Sequence, residues 1–256
     1  MIATEQARFL DIAVAKGHLA GETASKAKAI LDDPSRRKPL PFALMEQGLL
    51  SGDAVDEVLS EMIQRVDSLV AEGDKMVRMD AVTRAIFHYD EALESCPSDE
   101  RPRWKKVAAL LERRRFDDAV AELSQLLEIT ADRAGALRKR GTVHSRAGRL
   151  PDAIADLEAS VAIEPGDGRA HLELGLCFHS QREIDRAIAC YERAIAAQPD
   201  LVEAYNNLAI ALIRAKRPEE AVKAWDRALH IDRSRRTILH NVQALLKKMG
   251  RPPGKP

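Results

Sequence analysis

A gapless self-similarity at a shift of 34 residues governs what this chain can fold into. The stretch HLELGLCFHSQREIDRAIACYERAIAAQP, from His171 to Pro199, lies over YNNLAIALIRAKRPEEAVKAWDRALHIDR, from Tyr205 to Arg233. Three more steps of the same length bring in LRKRGTVHSRAGRLPDAIADLEASVAIEP, RWKKVAALLERRRFDDAVAELSQLLEITA and LVAEGDKMVRMDAVTRAIFHYDEALESCP. A period of this size marks stacked units, none of which can bury its own apolar face alone. Each unit carries two apolar stripes at i, i+3, i+4, i+7, parted by a short polar turn such as Ala215-Lys216-Arg217-Pro218. That pattern predicts a pair of antiparallel helices.

The recurring residues say how the helices meet. A small residue opens the second helix at Ala85, Ala119, Ala153, Ala187 and Ala221, and four positions later a large one follows, Tyr89, Leu123, Leu157, Tyr191 and Trp225. The next recurring place, three further on, holds Ala92, Leu126, Ser160, Ala194 and Ala228, and proline closes units at Pro97, Pro165 and Pro199. In the first helix the close-contact position reads Gly73, Val107, Gly141, Gly175 and Ala209. Small residues let helix axes approach and the large one fills the adjoining gap. Composition agrees: aromatic residues make up only 4% of the chain, which disfavours a β-sandwich or barrel.

These residues resemble the tetratricopeptide repeat, whose pattern W-x2-L-G-x2-Y, then A-x3-F, then P they follow. The resemblance implies an all-α, right-handed superhelix, an α-solenoid of five helix pairs at 66–99, 100–133, 134–167, 168–201 and 202–235. Val107 and Arg140 depart from the pattern, and Arg140 either snorkels out of a loosened helix pair or points at a ligand. After the last unit, RRTILHNVQALLKKMG sets Ile238, Leu239, Val242, Leu245, Leu246 and Met249 on one face. A capping helix at 236–249 is expected there, then a disordered tail at 250–256.

Residues 1–64 lie outside the period and carry their own duplication, with AKGHLAGETASKAKAIL from Ala15 superposing on EQGLLSGDAVDEVLSEM from Glu46. Each half reads as a helix closed by Gly17 or Gly48, a buried Leu19 or Leu50, and a second helix starting near Gly21 or Gly52. The proline-rich linker at 32–41 separates them, so a small four-helix domain is expected. Its spacing resembles the tandem motif of the small N-terminal domain of type II secretion and pilus ATPases, a module that in some members binds cyclic di-GMP. The first half keeps Arg8 and Gly17 but has Phe9 and Leu10 in the family's Arg-Leu-Gly opening and Leu31 in place of its closing Gln. The second keeps Leu40, Leu44, Gly48, Leu50 and Leu59 but has Pro39, Pro41 and Met62 elsewhere. With the opening glycine absent twice, a packing or docking domain is the expectation.

Among the function classes, an enzyme is not expected: no phosphate-cradling, dinucleotide, H-E-x-x-H or G-x-S-x-G motif occurs. No cofactor and no metal are expected either. Cys177 and His179 point roughly 200° apart around a helix and cannot share an ion. The three cysteines, Cys96, Cys177 and Cys190, read as small buried hydrophobes of a reducing compartment. Glu5 and Asp11 interrupt any signal-peptide pattern and no apolar run reaches the roughly 20 residues that span a bilayer, so a cytoplasmic protein without membrane insertion is expected.

Charge carries the remaining information. The chain has 40 Lys/Arg and 40 Asp/Glu, which removes a global electrostatic case for nucleic acid. Locally, 100–149 holds 13 Lys/Arg against 7 Asp/Glu, whereas 66–99 holds 3 against 8. In the resembled family the first helix of each unit lines a concave groove. Its inward positions correspond here to Arg101, Trp104, Ala108 and Leu111; Gly135, Arg138, Thr142 and Ser145; Arg169, Leu172, Leu176 and His179; and Glu203, Asn206, Ile210 and Ile213. Lys105, Lys139 and Arg146 lie beside them. The resemblance therefore implies a scaffold or adaptor that holds a partner peptide or helix in its groove, and the basic middle of the groove favours an acidic one. The basic clamp that some members use for a chaperone's terminal carboxylate is not reproduced. A cyclic-dinucleotide sensor is the alternative, and RNA binding is disfavoured because only Trp104 and Phe116 could stack bases in the basic stretch.

Overall fold

A computed structural model describes residues 3–36, 38–232 and 234–250. The described residues are helices and turns, and they fall into two compact units, 1–129 and 130–256. Of the tail expected at 250–256, all but Gly250 lies outside the described residues.

The first unit opens with α1 (Ala3–Ala15), α2 (Gly21–Leu31), α3 (Leu40–Glu46) and α4 (Gly52–Arg78). Gly17 and Gly48 adopt φ of +78° and +67° just past α1 and α3, the left-handed geometry that ends a helix at low cost. Leu19 and Leu50 follow them into a core with Phe9, Leu40, Leu44 and Val58. Pro41 sits in the first turn of α3, where its missing N–H costs nothing, and the side chain of Gln6 accepts the Leu40 N–H at 3.0 Å.

A continuous α4 of 27 residues, about 40 Å long, carries the chain out of this bundle. The limit expected near residue 65 falls inside it. Its buried stripe, Ala54, Val55, Val58, Met62, Val66 and Gly73, keeps one face through that point, and Ser51 caps its start by accepting the Ala54 N–H. The later part of α4 pairs with α5 (Val82–Ser95), and α6 (Glu100–Glu112) pairs with α7 (Phe116–Ile129). Glu5, 1% exposed on α1, accepts the Ser98 N–H at 2.6 Å and the Cys96 thiol at 3.2 Å. Burial first, and then this carboxylate, push the Cys96 thiol up to about 11. Cys96 is thus a half-buried donor rather than a buried apolar filler; Cys177 and Cys190 are buried.

The second unit contains α8 (Arg133–Arg146) with α9 (Leu150–Ile163), α10 (Gly168–Ser180) with α11 (Ile184–Ala197), α12 (Val202–Arg214) with α13 (Pro218–Ile231), and the closing α14 (Arg236–Lys248) packed on α13. The recurring alanines, Ala85, Ala119, Ala153, Ala187 and Ala221, are all fully buried. Tyr89, Leu123, Leu157, Tyr191 and Trp225 fill the gaps beside them at 3% exposure or less, so Tyr191 and Trp225 are core residues. In α14, Ile238 and Val242 are buried against the last repeat.

The turn between paired helices repeats its geometry as faithfully as the helices repeat their packing. Asp80, Arg114, Gly148, Arg182 and Lys216, each 34 residues from the next, all take positive φ, between 55° and 78°. Four of the five are not glycine and hold a conformation that disfavours a Cβ. Replacing Arg182, an exposed side chain at φ 65°, with glycine should raise the thermal midpoint by a few degrees, on the order of 0.5–1 kcal/mol. Differential scanning calorimetry checks it.

Candidate functional site

In the second unit the first helices of successive repeats touch one another, α8 with α10 and α10 with α12. They therefore share one face, and the second helices, α9, α11 and α13, form the opposite one. On the shared face α10 contributes Leu172, Leu176 and His179, and α12 contributes Asn206, Ile210 and Ile213. Leu172 is 9% exposed, whereas Ile213 is 37% exposed, so an apolar ledge rises from core to solvent across two helices. Leu176 and Ile210 lie between these extremes and pack on the same core.

Polar residues of this face are partly committed to the fold. Asn206, half-buried, accepts the Trp225 indole N–H at 3.0 Å through Oδ1. The Thr142 hydroxyl donates to the Arg138 carbonyl one turn back, at 2.9 Å. Arg138 pairs at 2.7 Å with Asp167, whose carboxylate also caps α10 by accepting the Arg169 and Ala170 N–H groups. His179 is half-buried, and its Nε2 has no hydrogen-bond partner. Burial, and then Arg214, hold its pKa below the ordinary histidine value, so the imidazole is neutral at pH 7. Arg146 and Arg169 are exposed at the edge.

Sequence reasoning missed Glu173. This half-buried carboxyl on α10 has its pKa raised by burial, against the opposing pull of Arg138, Lys139 and Arg146 on α8. The signal available was an acid inside the apolar run LELGLCF, one position beyond Leu172. With Glu173 and Asp167 placed against four cations, the edge of this face stays net basic, but by less than the bare count of the segment suggests.

The first unit carries a separate patch. Arg101 is exposed and pairs with Asp67 at 2.8 Å and with its own helix cap, Asp99. Lys105 pairs with Asp74 at 2.7 Å, and Asp74 also accepts the Tyr89 hydroxyl at 2.8 Å. Trp104 is half-buried beside them. Each cation of this patch meets a carboxylate, and the shallow cleft of about 300 Å3 next to it is bordered by both Asp74 and Glu112.

Elsewhere the basic surplus of 100–149 is absorbed internally. Arg103 bonds Glu122, Lys106 bonds Glu122 and Asp90, and Arg115 bonds Asp118. Arg140 neither snorkels nor reaches for a ligand: its Nε and Nη2 grip Asp156 on the partner helix at 2.8 and 2.7 Å. A fork of this kind fits a guanidinium against a carboxylate, and it explains why arginine stands where the pattern has leucine.

Among the described residues no group of three or more His, Cys, Asp or Glu is placed to hold a metal ion, and no helix is long and apolar enough to cross a membrane. The face offers hydrophobic contact, hydrogen-bond donors and modest positive charge, which suits recognition of another chain.

Comparison with known proteins agrees with this geometry. Solved structures share the fold: a MamA fragment from Desulfovibrio magneticus RS-1 is 20% identical with a TM-score of 0.59, covering 67% of this chain and 97% of that one. PilW, described as a type IV pilus biogenesis factor, is 21% identical with a TM-score of 0.61 over 72% of this chain and 86% of its own. YrrB, described as a TPR protein with an unusual peptide-binding site, is 18% identical with a TM-score of 0.55 over 73% and 96%. At these identities the likeness is one of fold. The search of curated proteins gives no match. A tetratricopeptide-repeat family model matches residues 105–168, 138–200 and 180–235, together half of the sequence. The chain belongs to the tetratricopeptide repeat family.

Proposed function

We propose that this protein is a non-enzymatic interaction scaffold whose second unit holds a partner peptide or helix on the face formed by α8, α10 and α12. The observation that carries this reading is the half-open apolar ledge of Leu176, Ile210 and Ile213, edged by Lys139, Arg146 and Arg169. Apolar side chains of the partner bury against the ledge and supply most of the affinity, while acidic ones meet the basic edge and speed encounter. Arg101 and Lys105 meet carboxylates, whereas Lys139 and Arg169 make no ion pair among the described residues, which supports assigning the acid-seeking role to the second unit rather than the first.

Ile213→Asp places a charge in the ledge, and Lys139→Glu with Arg169→Glu reverses the edge. Recovery of partner proteins by the tethered full-length chain should fall about tenfold or more for the first variant, and should fall with growing salt sensitivity lost for the second. All three positions have exposed or half-exposed side chains, so far-UV circular dichroism should stay unchanged. Undiminished recovery with Ile213→Asp would overturn the assignment of this face.

A further inference from the structure

The opposite face of the second unit carries a trough of about 750 Å3 between α9 and α11, floored by α10. Leu174 and Phe178 form its floor, and Ala162, Ala189 and Ala197 keep its walls low. It follows α11 from Arg186 to Ala197, about 16 Å or three helical turns. One end is stopped by the Arg186 guanidinium, which stacks 3.8 Å above the Phe178 ring and is pinned by Glu183 and Glu158.

The next repeat shows what such a place looks like when the chain fills it itself. Thirty-four residues on, the corresponding cleft shrinks to about 330 Å3. There Ile195 stands for Val161, Tyr205 for His171 and Lys223 for Ala189. The trough at α9–α11 is thus a wider form of a recurring position, in which Val161, His171 and Ala189 are smaller than their counterparts while Phe178, Arg186 and Cys190 are larger than Leu212, Glu220 and Ala224.

Two observations select the occupant. The walls are helices whose main-chain groups are already bonded within them, so a bound segment finds no sheet edge to pair with and must satisfy its own backbone. That favours a helix, and alanine walls let its axis come close. The second observation is charge. Arg193 lines the trough, is exposed, and makes no ion pair among the described residues, unlike Arg186 beside it. We propose that this trough is a second docking site, independent of the face above, which takes an amphipathic helix with apolar residues packed on Val161, Ala162 and Ala189, above the buried Leu174, and an aspartate or glutamate opposite Arg193.

The test selects a displayed library of random peptides of about 16 residues, long enough for four turns, on the full-length protein. Enriched peptides are then synthesised and titrated by fluorescence anisotropy against the wild type, Ala189→Trp, Arg193→Glu and Ile213→Asp. Ala189→Trp fills the trough; Arg193→Glu changes only an exposed charge and keeps the test valid should the tryptophan variant misfold. The expected result is a class of peptides bearing an acid among apolar residues at helical spacing. These should lose about tenfold or more in affinity with either trough variant and keep it with Ile213→Asp. Enriched peptides indifferent to Arg193→Glu, or the enrichment of none that depends on the trough, would overturn the proposal. So would a concentration-dependent dimer in sedimentation that Arg193→Glu abolishes, which assigns the trough to a second copy of this chain.

Discussion

Glu122→Ala should cost the first unit about 3–5 kcal/mol, far more than an exposed carboxylate would. Arg103 is only 6% exposed, and its Nη1 donates to Glu122 and to Gln125, each at 2.6 Å. Lys106, with its side chain 16% exposed, stands 2.5 Å from both Glu122 and Asp90. The wild-type cluster balances two cations with two carboxylates between α5, α6 and α7; Arg103, Lys106 and Glu122 are poorly hydrated, whereas Asp90 opens to solvent. Removing Glu122 leaves two cations facing one acid, and desolvation of a guanidinium left with only the neutral Gln125 dominates the loss. In the wild type Asp90 and Glu122 together raise the Lys106 pKa by more than burial lowers it; with Glu122 gone, Asp90 alone opposes burial. The double replacement Arg103→Met with Glu122→Leu removes the charge problem and should recover most of the stability. Urea unfolding followed by Trp104 in a Trp225→Phe background isolates this unit. A loss below about 1 kcal/mol for Glu122→Ala would mean that the cluster behaves as a solvated surface network.

That cluster also marks where sequence reasoning stops. Periodicity assigns each position to a face, because a 3.6-residue repeat fixes direction around a helix, and so Ala187, Tyr191 and Gly175 were legible as one contact. It does not say which charged side chains meet. Arg103 and Glu122 are 19 residues apart, Arg138 and Asp167 are 29, and Lys105 and Asp74 are 31. A window count over 100–149 adds the cations but misses acids supplied from outside it, such as Asp74, Asp90, Asp156 and Asp167. The basic stretch was real in composition, but Arg101, Arg103, Lys105, Lys106, Arg115, Arg138 and Arg140 of it meet carboxylates in space. The continuity of α4 was hidden for another reason: two overlapping periods met near residue 65, and a change of repeat length does not require a helix to end where no glycine or proline ends it. The trough between α9 and α11 left a faint trace, Val161, His171 and Ala189 against Ile195, Tyr205 and Lys223, readable once the 34-residue register is known.

The same register yields the second large effect. Gly175→Val should destabilise the second unit by about 3 kcal/mol, although glycine inside a helix ordinarily costs up to roughly 1 kcal/mol relative to alanine. A Cβ at position 175 would lie 2.5 Å from Cε1 and 2.7 Å from Cδ1 of Tyr191, a ring 1% exposed and boxed by Ala187 and Ala194. The ring has nowhere to retreat, so overlap outweighs propensity. Gly73 meets Tyr89 in the same way, at 2.4 Å. Where the array places valine at this position, Val107, the facing residue is Leu123 instead of tyrosine, and both are fully buried. The contact is not uniform along the array: Gly141 faces Leu157, and Ala209 stands at the same offset from Trp225. Tyr191→Leu alone should lose stability by opening a void, and the double variant Gly175→Val with Tyr191→Leu should be more stable than the sum of the singles by about 1–2 kcal/mol. Trp225, in the next repeat and bonded to Asn206, reports this unit's unfolding in a Trp104→Phe background. Additive losses would show that the first-helix and second-helix positions are chosen separately; coupling of the expected sign would show that each repeat trades backbone approach against ring size at one contact.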